Sequence, residues 1–357
     1  MTYAPGPYGY GYAPVPPPPK PGVIPLAPLD LNHVLSGAFG AYRRHWKALF
    51  GMAVAAYALA AVVVVGLGAA GWAALSGPWQ AMGDTPSTGD ADLSDLAPLF
   101  VGLAGLWLVT ALGVLVATGL LHGAVAVVVQ EAVLGRRVGF GAVWRGAWSR
   151  LGSVLGTVVL PALAALVPAL LFLFGACLML GAMIASIDAS EGNHVDNGAG
   201  LALTGLLVLL LSAATMPLAL WIWVKFSLAP TAAVVESASA LTALRRSAQL
   251  VRGSWWRVFG YTLVMALIVG GVSFAVQMAI SVVTQASVFA VPLAQHATPG
   301  TVFASVATMA LTGGLVQLLT QLLLGPLLPL TSGLLYVDQR IRKENLAPVL
   351  AATAART

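Results

Sequence analysis

The sequence predicts an all-α integral membrane fold: six transmembrane helices, arranged as three repeated interfacial-helix-plus-hairpin units, with both termini cytoplasmic. Three observations carry this expectation. The composition is too apolar for a water-facing globule. Mean hydropathy is +0.90, and only 8% of the 357 residues are charged, where a soluble domain carries about a quarter. All seventeen Lys and Arg residues fall in four stretches, with every long apolar run between them, and seven of the twelve acids fall in the gaps. Such a charge map reads as a topology with the basic stretches inside. The third observation is a repeat of roughly one hundred residues, set out below.

Residues 1–29 are expected to form a disordered cytoplasmic tail, because ten of them are proline, with Tyr and Gly between. Proline removes amide donors, so no packed core is expected there. The run Pro16 to Pro19 has polyproline II character, a possible docking strand. No signal peptide is evident, and the first apolar run is expected to act as a retained signal anchor. The membrane domain is placed at 30–345 and a short C-terminal tail at 346–357. Apolar spans are expected near 48–75, 98–129, 155–187, 200–228, 257–284 and 304–330. Each exceeds the ~20 helical residues needed to cross a bilayer core. Pro161, Pro168, Pro217, Pro326 and Pro329 predict kinks within them.

The connections alternate in charge. Asp84, Asp90, Asp92 and Asp95 lie between spans one and two, and Asp188, Glu191 and Asp196 between three and four. The inner side therefore carries a net +12 and the outer side −7. Each basic segment contains an amphipathic stretch that runs into an odd-numbered span. Val34, Leu35, Ala38, Phe39, Tyr42 and Trp46 share one helical face, with Arg43, Arg44 and Lys47 off it. Val143, Trp144, Ala147, Trp148 and Leu151 do the same, opposite Arg145 and Arg150. Leu241, Leu244, Ala248, Val251 and Trp255 form the third stripe, opposite Arg245, Arg246 and Arg252, with Arg257 following. Apolar faces with Trp, backed by cations, are suited to the membrane interface.

The junctions repeat. Gly51, Gly156 and Gly260 follow the three amphipathic stretches at separations of 105 and 104 residues. Glu131, Glu236 and Asp338 follow the even spans at separations of 105 and 102. The two markers predict repeats at about 34–133, 138–237 and 238–340. An even number of spans per unit gives the copies one orientation, about an axis normal to the membrane. The three inner acids have two readings: a cation-binding ring, or local pairing with the basic helices and solvation at the membrane edge.

Motifs for chemistry are scarce. Gly66-Leu67-Gly68-Ala69-Ala70-Gly71 matches a dinucleotide fingerprint but sits within an apolar run with no βαβ unit after it. The lone Cys177 and the scattered histidines offer no disulfide, metal set or nucleophile–base pair. No cofactor and no catalytic residue is expected. No Asp, Glu, Lys or Arg lies at mid-span, which lowers ion-coupled transport as an expectation. Gln277, Gln317 and Gln321 are candidate intramembrane polar contacts, either for a substrate or between helices. His122, inside Gly119-Leu120-Leu121-His122-Gly123, is another, with a buried, satisfied packing histidine as the ordinary alternative.

Several short motifs carry a resemblance. Lys20-Pro21-Gly22-Val23-Ile24-Pro25-Leu26, Phe226-Ser227-Leu228-Ala229-Pro230, Gly253-Ser254-Trp255-Trp256-Arg257 and Leu335-Tyr336-Val337-Asp338-Gln339-Arg340-Ile341-Arg342 occur in that order. Together they resemble actinobacterial glycerophosphodiester phosphodiesterase membrane-domain-like proteins over about residues 20–345. In fused members of that family a soluble phosphodiesterase barrel follows the membrane domain. The present sequence carries no such barrel, so the resemblance implies a bacterial plasma-membrane domain and no transferred activity.

The functional expectation is a non-enzymatic integral plasma-membrane protein that organises lipid or a partner protein at the inner leaflet. Anionic lipids are the expected partners, with no nucleic acid. The expected contacts are Arg43, Arg44, Lys47, Arg145, Arg150, Arg245, Arg246, Arg252 and Arg257. The alternative is a transporter or lipid translocase with a path along the repeat axis, lined by the three glutamines.

Overall fold

The structure, a computed structural model, describes residues 20–83, 93–190, 198–289 and 299–355. Every regular element among them is helical. In chain order these are α1 (Leu31–Gly83), α2 (Leu93–Val133), α3 (Phe140–Ser149), α4 (Leu151–Ser190), α5 (Gly198–Phe226) and α6 (Ala229–Val235). Then follow α7 (Ala240–Val251), α8 (Trp255–Phe289), α9 (Pro299–Leu324), α10 (Leu327–Glu344) and α11 (Ala347–Ala355). Six stretches are long and apolar enough to cross a membrane: Leu31–Gly71, Leu108–Val133, Leu151–Ala182, Ala199–Val235, Trp255–Val282 and Thr312–Glu344. The side chains of the seven acids expected outside, and residues 1–19 of the tail, lie outside the described residues.

Amphipathic stretch and odd span meet at a backbone break in all three places. In α1 the break is at His45 (φ −118°, ψ 19°). Between α3 and α4 it is Arg150, and between α7 and α8 it is the turn through Gly253, whose φ is +79°. Ser239 caps α7 by accepting the Thr242 amide at 3.4 Å, as an N-cap hydroxyl does.

The core lies at the basic end of the bundle. Val34, Ala38 and Leu49 of α1 meet Val125 and Val128 of α2, Val143 and Ala147 of α3, Leu250 of α7 and Leu330, Leu334 and Leu335 of α10. Away from this hub the spans present large apolar side chains outward, such as Phe172, Leu207 and Leu267. An apolar solvent makes that arrangement stable with only a small second cluster, around Ala53, Tyr57 and Leu120 of α1 and α2. The glycines of the Gly119/Gly123 motif serve the hub directly. Gly123 lies against Ala147, and a Cβ at Gly119 would meet Leu155 at 2.6 Å, the close approach that small residues permit.

Two expectations are corrected. Residues 20–29 are not tail: Ile24 and Leu29 are fully buried and Leu26 nearly so. This strap crosses the C-terminal end of α2, where the Val23 amide donates to the Ala132 carbonyl at 3.1 Å. Proline lowers the number of amides needing partners, so an extended Pro-rich segment can be buried at small cost when its apolar residues find a groove. Gly22 is required for the approach, since a Cβ there would lie 2.1 Å from the Ala132 oxygen. The C-terminal tail is also structured: after Asn345 turns in the left-handed region (φ 52°), α11 forms and Leu346 and Leu350 rejoin the core. α4 and α5 run through Pro161, Pro168 and Pro217 as single helices. The chain breaks at Gly325–Pro326, between α9 and α10, where a kink is expected at Pro326, and also at Ser227–Leu228, between α5 and α6.

Candidate functional site

The hub at the basic end is built around two ion-pair clusters. In the first, Glu236, just after α6, accepts Arg246 Nε at 2.9 Å and the Tyr336 hydroxyl at 2.6 Å. Arg246 also reaches Glu344, which in turn accepts Arg340 Nε at 2.9 Å. Burial pushes the Glu236 carboxyl up, but bonds from Tyr336 and Arg246 outweigh it and hold the group below the ordinary carboxylate range.

The second cluster is deeper. Asp338 is fully buried. Its Oδ1 accepts the Leu29 amide at 2.8 Å and Arg342 Nε at 2.9 Å, and Arg257 Nε lies 3.6 Å from Oδ2. The Leu29 carbonyl accepts Arg342 Nη2 at 2.8 Å and also Arg257 Nη2. One peptide of the strap is thus held on both sides, its amide by a carboxylate and its carbonyl by two guanidiniums. Charge-assisted bonds of this kind are the strong ones. Glu131, at the matching register, makes only a loose 3.9 Å contact with Arg136. The three acids are therefore met by separate local partners, which favours local pairing over a shared cation ring. Among the described residues no group of three or more His, Cys, Asp or Glu is arranged to hold a metal ion.

This pairing divides the nine cations expected at the lipid surface. Arg246 and Arg257 are committed to carboxylates. Arg44 donates to the Gly135 carbonyl, and Arg150 reaches the Ser237 carbonyl at 3.4 Å. Arg43, Lys47, Arg145, Arg245 and Arg252 are exposed, and none has a carboxylate of a described residue within ion-pair distance. Exposed tryptophans flank them: Trp46 at 50%, Trp148 at 50% and Trp256 at 77%.

Inside the membrane region, a cavity of about 280 Å³ lies between the second to sixth spans. Thr118, His122, Thr157, Ser227, Thr262 and Ser332 supply its polar lining. His122, Ser227 and Pro329 hold one register, nine residues before Glu131, Glu236 and Asp338 respectively. Four of the hydroxyls donate to carbonyls three or four residues earlier: Thr157 to Val154 O, Ser227 to Val224 O, Thr262 to Val258 O and Ser332 to Pro329 O, all at 2.7–2.9 Å. His122 Nδ1 is 2.8 Å from the Thr118 carbonyl, so its N–H belongs there and Nε2 is left as an acceptor. The lining therefore offers lone pairs and suits a ligand that donates.

The glutamines are not brought to this cavity. Gln317 and Gln321 are exposed, and Gln321 bonds with the Tyr57 hydroxyl. Gln277 is half-buried, near Gly313 of α9. Of the candidate intramembrane contacts, His122 alone lines the cavity. Its hydroxyl neighbours carry no local sequence signal beyond polar residues in apolar surroundings, and the register that marks Asp338 does not point to the strap as its partner.

A sequence profile described as a domain of unknown function (DUF7847) matches residues 91–324. No curated protein and no solved structure matches the chain.

Proposed function

The chain belongs to the DUF7847 family, a domain of unknown function, and from that premise we propose a non-enzymatic bacterial plasma-membrane protein that gathers anionic lipid around its inner face. Its six helices have the length and hydropathy of membrane spans. The proposal adds the orientation, with both termini cytoplasmic, and the origin of the bundle in three copies of an interfacial helix plus hairpin. The three helix–break–helix junctions and the common register of Glu131, Glu236 and Asp338 support the triplication. The resemblance to glycerophosphodiester phosphodiesterase membrane-domain-like proteins enters as a proposal about architecture alone.

One observation carries the lipid role. Five basic side chains, Arg43, Lys47, Arg145, Arg245 and Arg252, stay exposed without a described carboxylate partner, beside exposed tryptophans, while other cations of the same segments are consumed inside the hub. Near-surface cations contribute about 1 kcal/mol each against anionic lipid. The test compares binding of anionic and zwitterionic lipid by the purified chain, with Arg43, Lys47, Arg145 and Arg245 intact or all replaced by Gln. A preference for anionic lipid that weakens with salt and shrinks in the variant is expected. Equal uptake of both lipids by the native chain would sink the proposal.

The few polar groups of the otherwise apolar cavity, His122 among them, favour a second reading, a path for small hydrogen-bond-donating solutes. Proteoliposomes carrying the native chain would then leak a hydroxylated or ammonium solute faster than His122→Phe/Thr157→Val/Thr262→Val vesicles. Flux equal to protein-free vesicles ends this reading.

A further inference from the structure

From the groove between the fourth and fifth spans we infer a discrete site for one anionic phospholipid of the inner leaflet. This rests on the inner-leaflet reading above and narrows it to one place. Two adjoining hollows, about 520 and 530 Å³, share Trp221 of α5 and Trp255 of α8. The first opens at the basic end and is bordered by Lys225 and Arg252. The second continues along the spans and is walled by Pro217, Leu220, Trp256 and Phe259. A mouth bordered by two cations and an adjoining shallow apolar hollow of this size match a headgroup and an acyl chain.

The mouth presents donors. Lys225 Nζ stands 4.4 Å from the Trp221 ring centroid, and neither Lys225 nor Arg252 has a carboxylate of a described residue in ion-pair range. Trp255 Nε1–H is buried with no hydrogen-bond partner, although buried indole donors ordinarily have one. The turn at Gly253 (φ +79°) joins Arg252 to Trp255, and all three line the mouth. Below it the Trp255 ring stacks on Phe259 at 5.1 Å, forming a flat wall for a hydrocarbon chain.

Charge and geometry select among lipids. No carboxylate borders the mouth to receive an ammonium or choline group, and Lys225 already occupies a face of Trp221. A phosphate diester with an uncharged alcohol headgroup supplies acceptor oxygens to both cations and adds no further positive charge. A zwitterionic headgroup brings a second cation into a cationic mouth.

Native mass spectrometry of the full chain, titrated with phosphatidylglycerol or phosphatidylcholine, tests this. One phosphatidylglycerol is expected to be retained well beyond the rest, with phosphatidylcholine at background. Lys225→Gln/Arg252→Gln should weaken that single retention by about 30-fold. Trp255→Phe keeps the ring, removes only the donor, and should weaken retention several-fold. The variant lacking Arg43, Lys47, Arg145 and Arg245 should keep this one lipid while losing the general anionic preference, which separates the two claims. Equal retention of both lipids, or unchanged retention in the Lys225/Arg252 variant, overturns the site. If the double variant does not fold, unchanged retention in Trp255→Phe overturns it.

Discussion

Asp338→Asn isolates the charge that anchors the strap. The substitution keeps side-chain shape and can preserve one acceptor for the Leu29 amide, which now sits 2.8 Å from Oδ1. What it removes is the counter-ion for two guanidiniums, Arg342 at 2.9 Å and Arg257 at 3.6 Å. Both would then face the same Leu29 carbonyl with only their mutual repulsion. Removing one partner of a buried pair costs about 3–5 kcal/mol. The arginines are 30% and 31% exposed while Asp338 is fully buried, so water relieves part of the cost and about 3 kcal/mol is expected. Against a typical total of about 5–15 kcal/mol, that is a large fraction. Reversible unfolding of the purified protein in mixed micelles, followed by tryptophan fluorescence, gives the number. A double variant with Arg257→Gln should recover part of the loss, because one unpaired cation is gone. A loss under ~1 kcal/mol for Asp338→Asn would refute the counter-ion reasoning.

Further outcomes follow from the same hub. Gly22→Ala places a Cβ 2.1 Å from the Ala132 oxygen, and Gly135→Ala adds a strained φ of +79° beside the Pro21 carbonyl. Each should detach the strap and expose residues 20–29 to limited proteolysis, whereas Gly152→Ala, with nothing near its would-be Cβ, should not. Glu236 is held below the ordinary carboxylate range. Its contribution is therefore full above that range and lost as pH falls through it towards the depressed value. Glu236→Gln should remove that part of the acid sensitivity in an unfolding series across pH; an unchanged profile would contradict the pairing. Turnover of glycerophosphodiesters by the purified chain is expected to be absent, and measurable hydrolysis would overturn the non-enzymatic proposal.

The spans and the clustering of cations were legible because hydropathy and charge sign are local properties. The three amphipathic stretches were legible for the same reason, since apolar residues recur at helical spacing within each, as Val34, Ala38 and Tyr42 or Val143 and Ala147 do. The strap was not. Its ten-proline context pointed to disorder, and the residues that hold it, Asp338, Arg342 and Arg257, lie more than two hundred positions away. The candidate site was legible only in outline. Cation type and position were visible, but which cations are consumed depends on partners in other helices: Arg246 and Arg245 are neighbours in sequence with opposite fates. In the spans the glutamines drew notice as the largest polar groups. Single Thr and Ser residues such as Thr157 and Thr262 carry no such mark, and only the packing of several helices brings them together around His122.

Orientation underlies every functional claim here, and it is directly measurable. In a Cys177→Ala background, single cysteines at Asp90 and Gln249 would be labelled with a membrane-impermeant maleimide in intact spheroplasts and in inside-out vesicles. The cysteine at 90 is expected to react only in spheroplasts and that at 249 only in inside-out vesicles. Labelling of position 249 from the outside would put the basic hub on the wrong face and contradict the account.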